Sequence, residues 1–61
     1  MNEPLLIGVR EAARLLNLGR DSTYQLVREG RLRSVSIGRR VLIPRTELSA
    51  FVEREATKDD P

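Results

Sequence analysis

Apolar residues recur along this chain at helical spacing, then at strand spacing, then at helical spacing again. Val9, Ala12, Ala13 and Leu16 stand at i, i+3, i+4 and i+7, one face of a 3.6-residue helix. The spacing predicts a first helix over Val9–Leu16, with Arg10 and Arg14 outward. Gly8 is its N-cap, and Glu11 in the first turn favours the helix start electrostatically. Asn17-Leu18-Gly19 interrupts the pattern with residues free to take left-handed or turn geometry. A second helix starts near Arg20, after Gly19 as another glycine cap, and stops before Gly30, a residue suited to the position just past a helix end. It buries Thr23, Leu26 and Val27 and turns Asp21, Tyr24, Gln25 and Arg28 outward. Asp21 or Ser22 is placed to satisfy amides of its first turn. The small Ala12-Ala13 pair lets the two helices approach closely.

Beyond Gly30 the period changes. Arg31-Leu32-Arg33-Ser34 is a connector in which Leu32 alone reads as buried. Val35-Ser36-Ile37 and Val41-Leu42-Ile43 are β-branched runs flanking Gly38-Arg39-Arg40, a hairpin signal. A three-residue loop would put Val35, Ile37, Val41 and Ile43 on one face, and the hydrophobic register favours it; a two-residue loop would instead pair Ile37 with Arg40. Pro44 ends the second run and suits the first turn of a third helix. That helix is expected from Pro44 or Arg45 to Arg54, with Glu47 in its first turn and Leu48, Phe51 and Val52 as its apolar face. The pattern divides the chain into an N-terminal arm over 1–7, whose Leu5-Leu6-Ile7 packs on the core, a folded domain over 8–54, and a flexible charged tail over 55–61. There is no internal repeat. The fold class is mainly α with a small β-hairpin: helix, turn, helix, wing, helix.

Two short helices joined by a glycine-containing turn form a helix-turn-helix, whose second helix can lie in the major groove of DNA. An ordinary helical hairpin with surface arginines reads the first thirty residues equally well. The hairpin that follows tips the balance. Its tip, Arg39-Arg40, is exposed, where folding gives no reason for two adjacent arginines, and a wing tip reaches flanking backbone or minor groove. Charges there also keep a strand edge from aggregating, and the two roles are compatible.

Composition sharpens this reading. Net charge is only +2 over 61 residues, but it is unevenly placed. From Arg20 to Arg45 seven arginines face Asp21 and Glu29, a net of +5, and the remainder of the chain carries −3. Ten of the eleven basic residues are Arg, which grips phosphate and guanine bidentately. A phosphate-facing patch is the better account of such clustering than a generally charged surface. The candidate DNA-binding residues are Arg20, Asp21, Ser22, Tyr24, Gln25, Arg28, Arg33, Arg39 and Arg40.

The chain reads as one small domain, and a chain this short buries only about 60% of its unfolded surface. It has no Cys and no His. No disulfide and no zinc site is therefore expected, and no cofactor. Four serines have no histidine to act as base, so no catalytic residue is assigned. Glu53/Glu55 and Asp59-Asp60 are most simply solvating charge. No apolar run approaches the ~20 residues of a bilayer span, and Met1-Asn2-Glu3-Pro4 lacks the basic start of a signal peptide. No membrane and no small-molecule ligand is expected, and the location is cytoplasmic, on the nucleoid when bound.

Several of these segments together resemble a known family. Val9-Arg10-Glu11-Ala12-Ala13, the run Leu18 to Leu32 with its Arg28-Glu29-Gly30 helix end, Ile37-Gly38-Arg39-Arg40 and Ile43-Pro44 are similar to the excisionase-family helix-turn-helix domain, a small MerR-like winged helix. The resemblance covers about residues 6 to 53. It implies DNA binding through the second helix and the wing, and control of recombination direction by bending or coating attachment-site DNA, with an integrase or recombinase as partner. A small MerR-like transcriptional regulator is the alternative within that class. A protein-interaction module, such as an antitoxin or adaptor, is the alternative outside it. The chain departs from the family in having Gly8 and Gly19 where Ser or Thr caps are frequent, and Thr23 where an apolar residue is usual; Thr23 is then a half-buried core residue. With Val9, Ala12, Ala13, Leu16, Leu26, Val27, Ile37, Ile43, Leu48, Phe51 and Val52 all assigned inward, no stripe remains for a coiled-coil dimer. A free monomer that lines up head to tail on repeated DNA sites is the assembly expected.

Overall fold

The computed structural model describes residues 3–58. Strand β1 (Leu6–Gly8) runs into helix α1 (Val9–Leu16), followed by α2 (Arg20–Arg28), β2 (Val35–Ile37), β3 (Arg40–Pro44) and α3 (Arg45–Lys58). Among the described residues the strands form one antiparallel sheet in the order β1-β3-β2. This is the expected winged helix-turn-helix, with one strand more than the hydrophobic pattern implied.

The two helices of the motif end by the same device. Asn17 is left-handed at φ 60°, and behind α1 the Asn17 and Leu18 N–H groups return to the carbonyls of Arg14 and Ala13 at 3.1 and 2.9 Å. Behind α2, Gly30 is left-handed at φ 76°, and the Gly30 and Arg31 N–H groups return to Val27 and Leu26, both at 3.0 Å. Each closure satisfies carbonyls that a helix end would leave unpaired, and reverses the chain within about one turn. The first swings the chain into α2; the second delivers Leu32 into the core. Gly8 and Gly19 cap the starts in extended conformation and bring no capping side chain, and neither Asp21 nor Ser22 bonds the first-turn amides of α2.

The core is built from Ile7, Val9, Ala12, Leu32, Ile43 and Phe51, with Leu16, Tyr24, Leu26, Val27, Val41 and Leu48 packed around it. Ala12 is fully buried, where α1 and α2 meet. Thr23 is fully buried rather than half-buried; its Oγ1–H donates to the Gly19 carbonyl at 2.9 Å, so its polar atom is satisfied inside.

Four expectations are corrected. The arm is not uniformly packed: Ile7 is buried and pairs with Ile43 in β1, whereas Leu5 is 84% exposed. The hairpin loop is the two-residue one, with Ile37 opposite Arg40. Gly38 takes φ 63°, and a left-handed glycine first in a two-residue loop is a primed turn that matches strand twist. Turn chemistry thus sets the register against the hydrophobic pattern, leaving Val35 and Ile37 on the sheet face opposite Val41 and Ile43. On α3 the buried line is Glu47 and Phe51, and Val52 turns out to solvent. The helix continues through residues 55–58 instead of ending at Arg54. Residues 1–2 of the arm and Asp59, Asp60 and Pro61 of the charged tail lie outside the described residues.

The Thr23 hydroxyl tests how the buried turn is held. The Gly19 carbonyl also accepts the Thr23 N–H at 3.1 Å, so Thr23→Val leaves that carbonyl paired. Thr23→Val is therefore expected to change unfolding free energy by less than about 1 kcal/mol, and Thr23→Ala, which opens a cavity, to cost more. Thermal melts of both variants followed by circular dichroism check the order; a Val variant as damaged as the Ala variant would make the hydroxyl itself essential.

Candidate nucleic-acid interface

The structure sorts the ten arginines into two sets. Four are tied to carboxylates: Arg14 to Glu11 at 2.5 Å, Arg54 to Glu47 at 2.5 Å, Arg45 to Glu3, and Arg31 to both Glu55 and Glu29. Arg10, Arg20, Arg28, Arg33, Arg39 and Arg40 have no carboxylate partner among the described residues, and all six are exposed. Five of the six are arginines that the sequence marked as candidates. An exposed, unpaired guanidinium is the form that meets a phosphate without first breaking an internal ion pair.

These five lie on three consecutive elements. Arg20 and Arg28 open and close α2. Arg33 sits in the connector, and Arg39 and Arg40 form the wing tip. On the outward face of α2, Gln25 and Arg28 are bound together: Arg28 Nη2 donates to Gln25 Oε1 at 2.9 Å, and Gln25 Nε2 donates to Glu29 Oε2 at 2.8 Å. Arginine only donates and glutamate only accepts, so this chain fixes which way the Gln25 amide points. These bonds are exposed, and a base edge can replace them at little cost. Asp21 and Ser22 are exposed on the same helix. As a carboxylate, Asp21 suits only a donating base edge such as cytosine N4. Tyr24 is not a freely outward residue: it is half-buried and packs against the core, at the border of the presented face.

What holds the connector was not read from the sequence. Glu47 is buried, and its Oε2 accepts from the Arg33 N–H at 3.0 Å and from Arg54 Nη2 at 2.5 Å. Arg54 Nη2 also donates to the Arg31 carbonyl at 3.0 Å. The connector between α2 and the wing is thereby clamped to α3 through its own backbone, leaving the Arg33 side chain unpaired. A signal was present: Glu47, Phe51 and Arg54 stand at i, i+4 and i+7, so an acid and a base share the face of a core phenylalanine. Burial pushes the Glu47 carboxyl up, but hydrogen bonds from Arg54 and the Arg33 N–H, with the charges of both arginines, hold it below its ordinary value.

Beside this face an open groove between α2 and α3 is lined by Leu18, Leu26 and Phe51 together with Asp21, Ser22, Gln25, Glu29, Arg31 and Glu55. Arg31 lies here and is neutralised by Glu29 and Glu55. The carboxylates of Asp21, Glu29 and Glu55 make this border of α2 unfavourable to phosphate, and the unpaired arginines of the candidate set lie at the ends of α2, in the connector and on the wing tip.

A family model described as a helix-turn-helix domain matches residues 6–56. The chain belongs to that helix-turn-helix family. It is a family of DNA-binding domains, not of enzymes. The chain is also 48% identical over 50 residues to a probable excisionase from Saccharopolyspora erythraea, a match covering 82% of this chain and 51% of that protein. It thus spans about half the length of that relative. No solved structure matches it. The excisionase-family resemblance of the helix-turn-helix segments is borne out by the two matches together. No helix of the described residues is long and apolar enough to cross a membrane.

The Glu47 clamp generates a prediction. Glu47→Ala strands the Arg33 N–H and frees Arg54, at a cost of about 1–3 kcal/mol; in a domain this small that lowers Tm by roughly 4–8 °C per kcal/mol. The folded carboxyl titrates below the unfolded one, so its stabilisation is complete above the unfolded value and is lost as pH falls through the folded value. The gap in Tm between the wild type and Glu47→Ala is therefore expected to hold steady near neutral pH and to narrow below about pH 4. A gap unchanged by acid would show that the charge of Glu47 is not what holds the connector.

Proposed function

We propose that this protein binds a specific double-stranded DNA site with α2 and the wing, and that it acts as an excisionase, bending or coating attachment-site DNA to direct a site-specific recombinase. The observation that carries the DNA contact is the distribution of guanidiniums: among the described residues five of the six unpaired ones run from Arg20 and Arg28 through Arg33 to Arg39 and Arg40, Arg10 of α1 being the sixth, whereas carboxylates occupy the other four. The recombination role is supported by the likeness to a probable excisionase over the matched half of that protein. In this reading Arg20, Arg33, Arg39 and Arg40 hold phosphates, and Asp21, Ser22, Gln25 and Arg28 face base edges. Tyr24 reaches the backbone or a thymine methyl from the border of that face.

Binding titrations over a range of salt separate the two roles. Arg40→Ala is expected to weaken binding to all sequences alike and to reduce the log–log salt slope by about one unit. Gln25→Ala is expected to keep the slope and to relax preference at one or two base pairs, by roughly 1–3 kcal/mol of discrimination. An unchanged site-selection profile for Gln25→Ala would move base reading to another face.

A single recognition helix covers few base pairs, so several copies on repeated sites are the assembly that gives specificity. Among the described residues the exposed large apolar side chains are Leu5, Leu15, Leu18, Val35, Ile37 and Val52; Leu15 and Val52 border one groove with Leu16 and Leu48, and the six form no heptad stripe along a helix for a coiled-coil dimer. A heterologous contact that does not close can extend along DNA. Sedimentation of the free protein is expected to give a monomer, and gel shifts on its natural site a ladder of bands. A stable dimer without DNA, giving one band on a palindrome, would favour a conventional dimeric repressor.

A further inference from the structure

Strand β2 gives the fold no buried residue: Val35, Ser36 and Ile37 are all exposed, Ile37 to 53%. The register explains how. Directly opposed residues of an antiparallel pair share a face. Val35 stands opposite Leu42 and Ile37 opposite Arg40, on the face turned away from Ile7, Val41 and Ile43. Ile37 therefore projects beside Arg40 and next to the Gly38-Arg39 turn, at the outer end of the wing. Threonine would serve a short exposed strand as well as isoleucine, with the same β-branching and no apolar surface given to water. The fold accounts for neither the isoleucine nor its position opposite the unpaired Arg40 and next to the turn that carries the unpaired Arg39.

The partner such a surface fits must offer anions and an apolar edge together. A protein partner would have to bring carboxylates to meet both Arg39 and Arg40. The edge of the DNA minor groove offers both along its whole length, phosphate oxygens alternating with the apolar carbons of deoxyribose, whatever the base sequence. We propose that Ile37 is a DNA-contacting residue of the wing, packing on deoxyribose at the minor-groove edge between phosphates held by Arg39 and Arg40. The inference rests on the wing contact proposed above and adds to it an apolar, salt-independent share of affinity. The contact reads no sequence, because every nucleotide presents the same sugar.

The experiment compares wild type, Ile37→Thr, Ile37→Val and Arg40→Ala on one duplex carrying the natural site, at several salt concentrations, with sedimentation of each free protein. Ile37→Thr is expected to bind on the order of three- to tenfold more weakly at every salt concentration, with the slope kept. Ile37→Val, which remains apolar, is expected to retain most of the wild-type affinity. Melting temperatures should stay with the wild type, since the side chain is exposed. Wild-type affinity in Ile37→Thr, while Arg40→Ala flattens the slope, overturns the role of Ile37 and leaves the wing contact standing. No effect from Arg40→Ala removes the wing contact itself, and the Ile37 proposal with it. A wild-type dimer that Ile37→Thr converts to monomer overturns the proposal in another way, by making this strip a contact between copies of the chain.

Discussion

The candidate interface depends on a buried carboxylate. Helix α2 packs on α1, whereas β3 of the wing packs on β1, α1 and α3 and carries β2 at its outer edge, so the two elements of the candidate interface meet through the connector between them. That connector follows a left-handed glycine and has no ladder of its own to satisfy its backbone. Glu47 and Arg54 of α3 supply the missing partners, one accepting from the Arg33 N–H and the other donating to the Arg31 carbonyl. A buried carboxylate is costly unless fully partnered, and Glu47 has both a cation and a backbone donor. The demand works in both directions. Glu47 needs the connector where it is, and the connector's position sets the angle between α2 and the wing.

The same carboxylates divide the positive charge. Seven arginines fall between Arg20 and Arg45, but Arg31 is neutralised by Glu29 and Glu55, and Arg45 pairs with Glu3. What remains is a narrower strip along one side of the motif. Exposed ion pairs contribute little to stability, commonly less than about 1 kcal/mol. The stronger consequence of the Arg31 and Arg45 pairs lies in the field they shape. They remove charge from the α3 side and leave it along α2, Arg33 and the wing tip.

The boundaries of α1 and α2 were legible because the signals that set them are local. Glycine at both N-caps, Asn17 and Gly30 in left-handed geometry, and the spacing of Val9, Ala12 and Ala13 act within a turn or two of chain. Strand β1 was not legible because three residues carry no measurable period, and its identity comes from pairing with a strand more than thirty residues away. The hairpin register was misread because four β-branched residues can share a face only if the loop allows it, and Gly38 at φ 63° selects the shorter loop. Burial of Glu47 was not legible because its backbone partner comes from a connector whose course depends on the whole fold. Of the candidate site, the arginines were legible from type and clustering, while Tyr24 was placed too far outward because a helical wheel does not show how far a large ring reaches back to the core.

This architecture separates what folds from what binds. The core draws on β1, α1, the face of α2 around Thr23, the connector's Leu32, β3 and α3; β2 and the turn lie beyond it. A domain of 61 residues has little stability to spare, so substitutions in that core act on folding first. Substitutions at Arg39 or Arg40 remove little packing, and surface changes of that kind stay within about 0.5 kcal/mol of neutral for folding, whereas Val35 stands opposite the buried Leu42. The wing can therefore vary in side chain with small consequence for the fold, provided Gly38 keeps its left-handed turn. In the proposed mode of binding, the affinity that the wing adds is in this way free to change independently of the scaffold that carries α2.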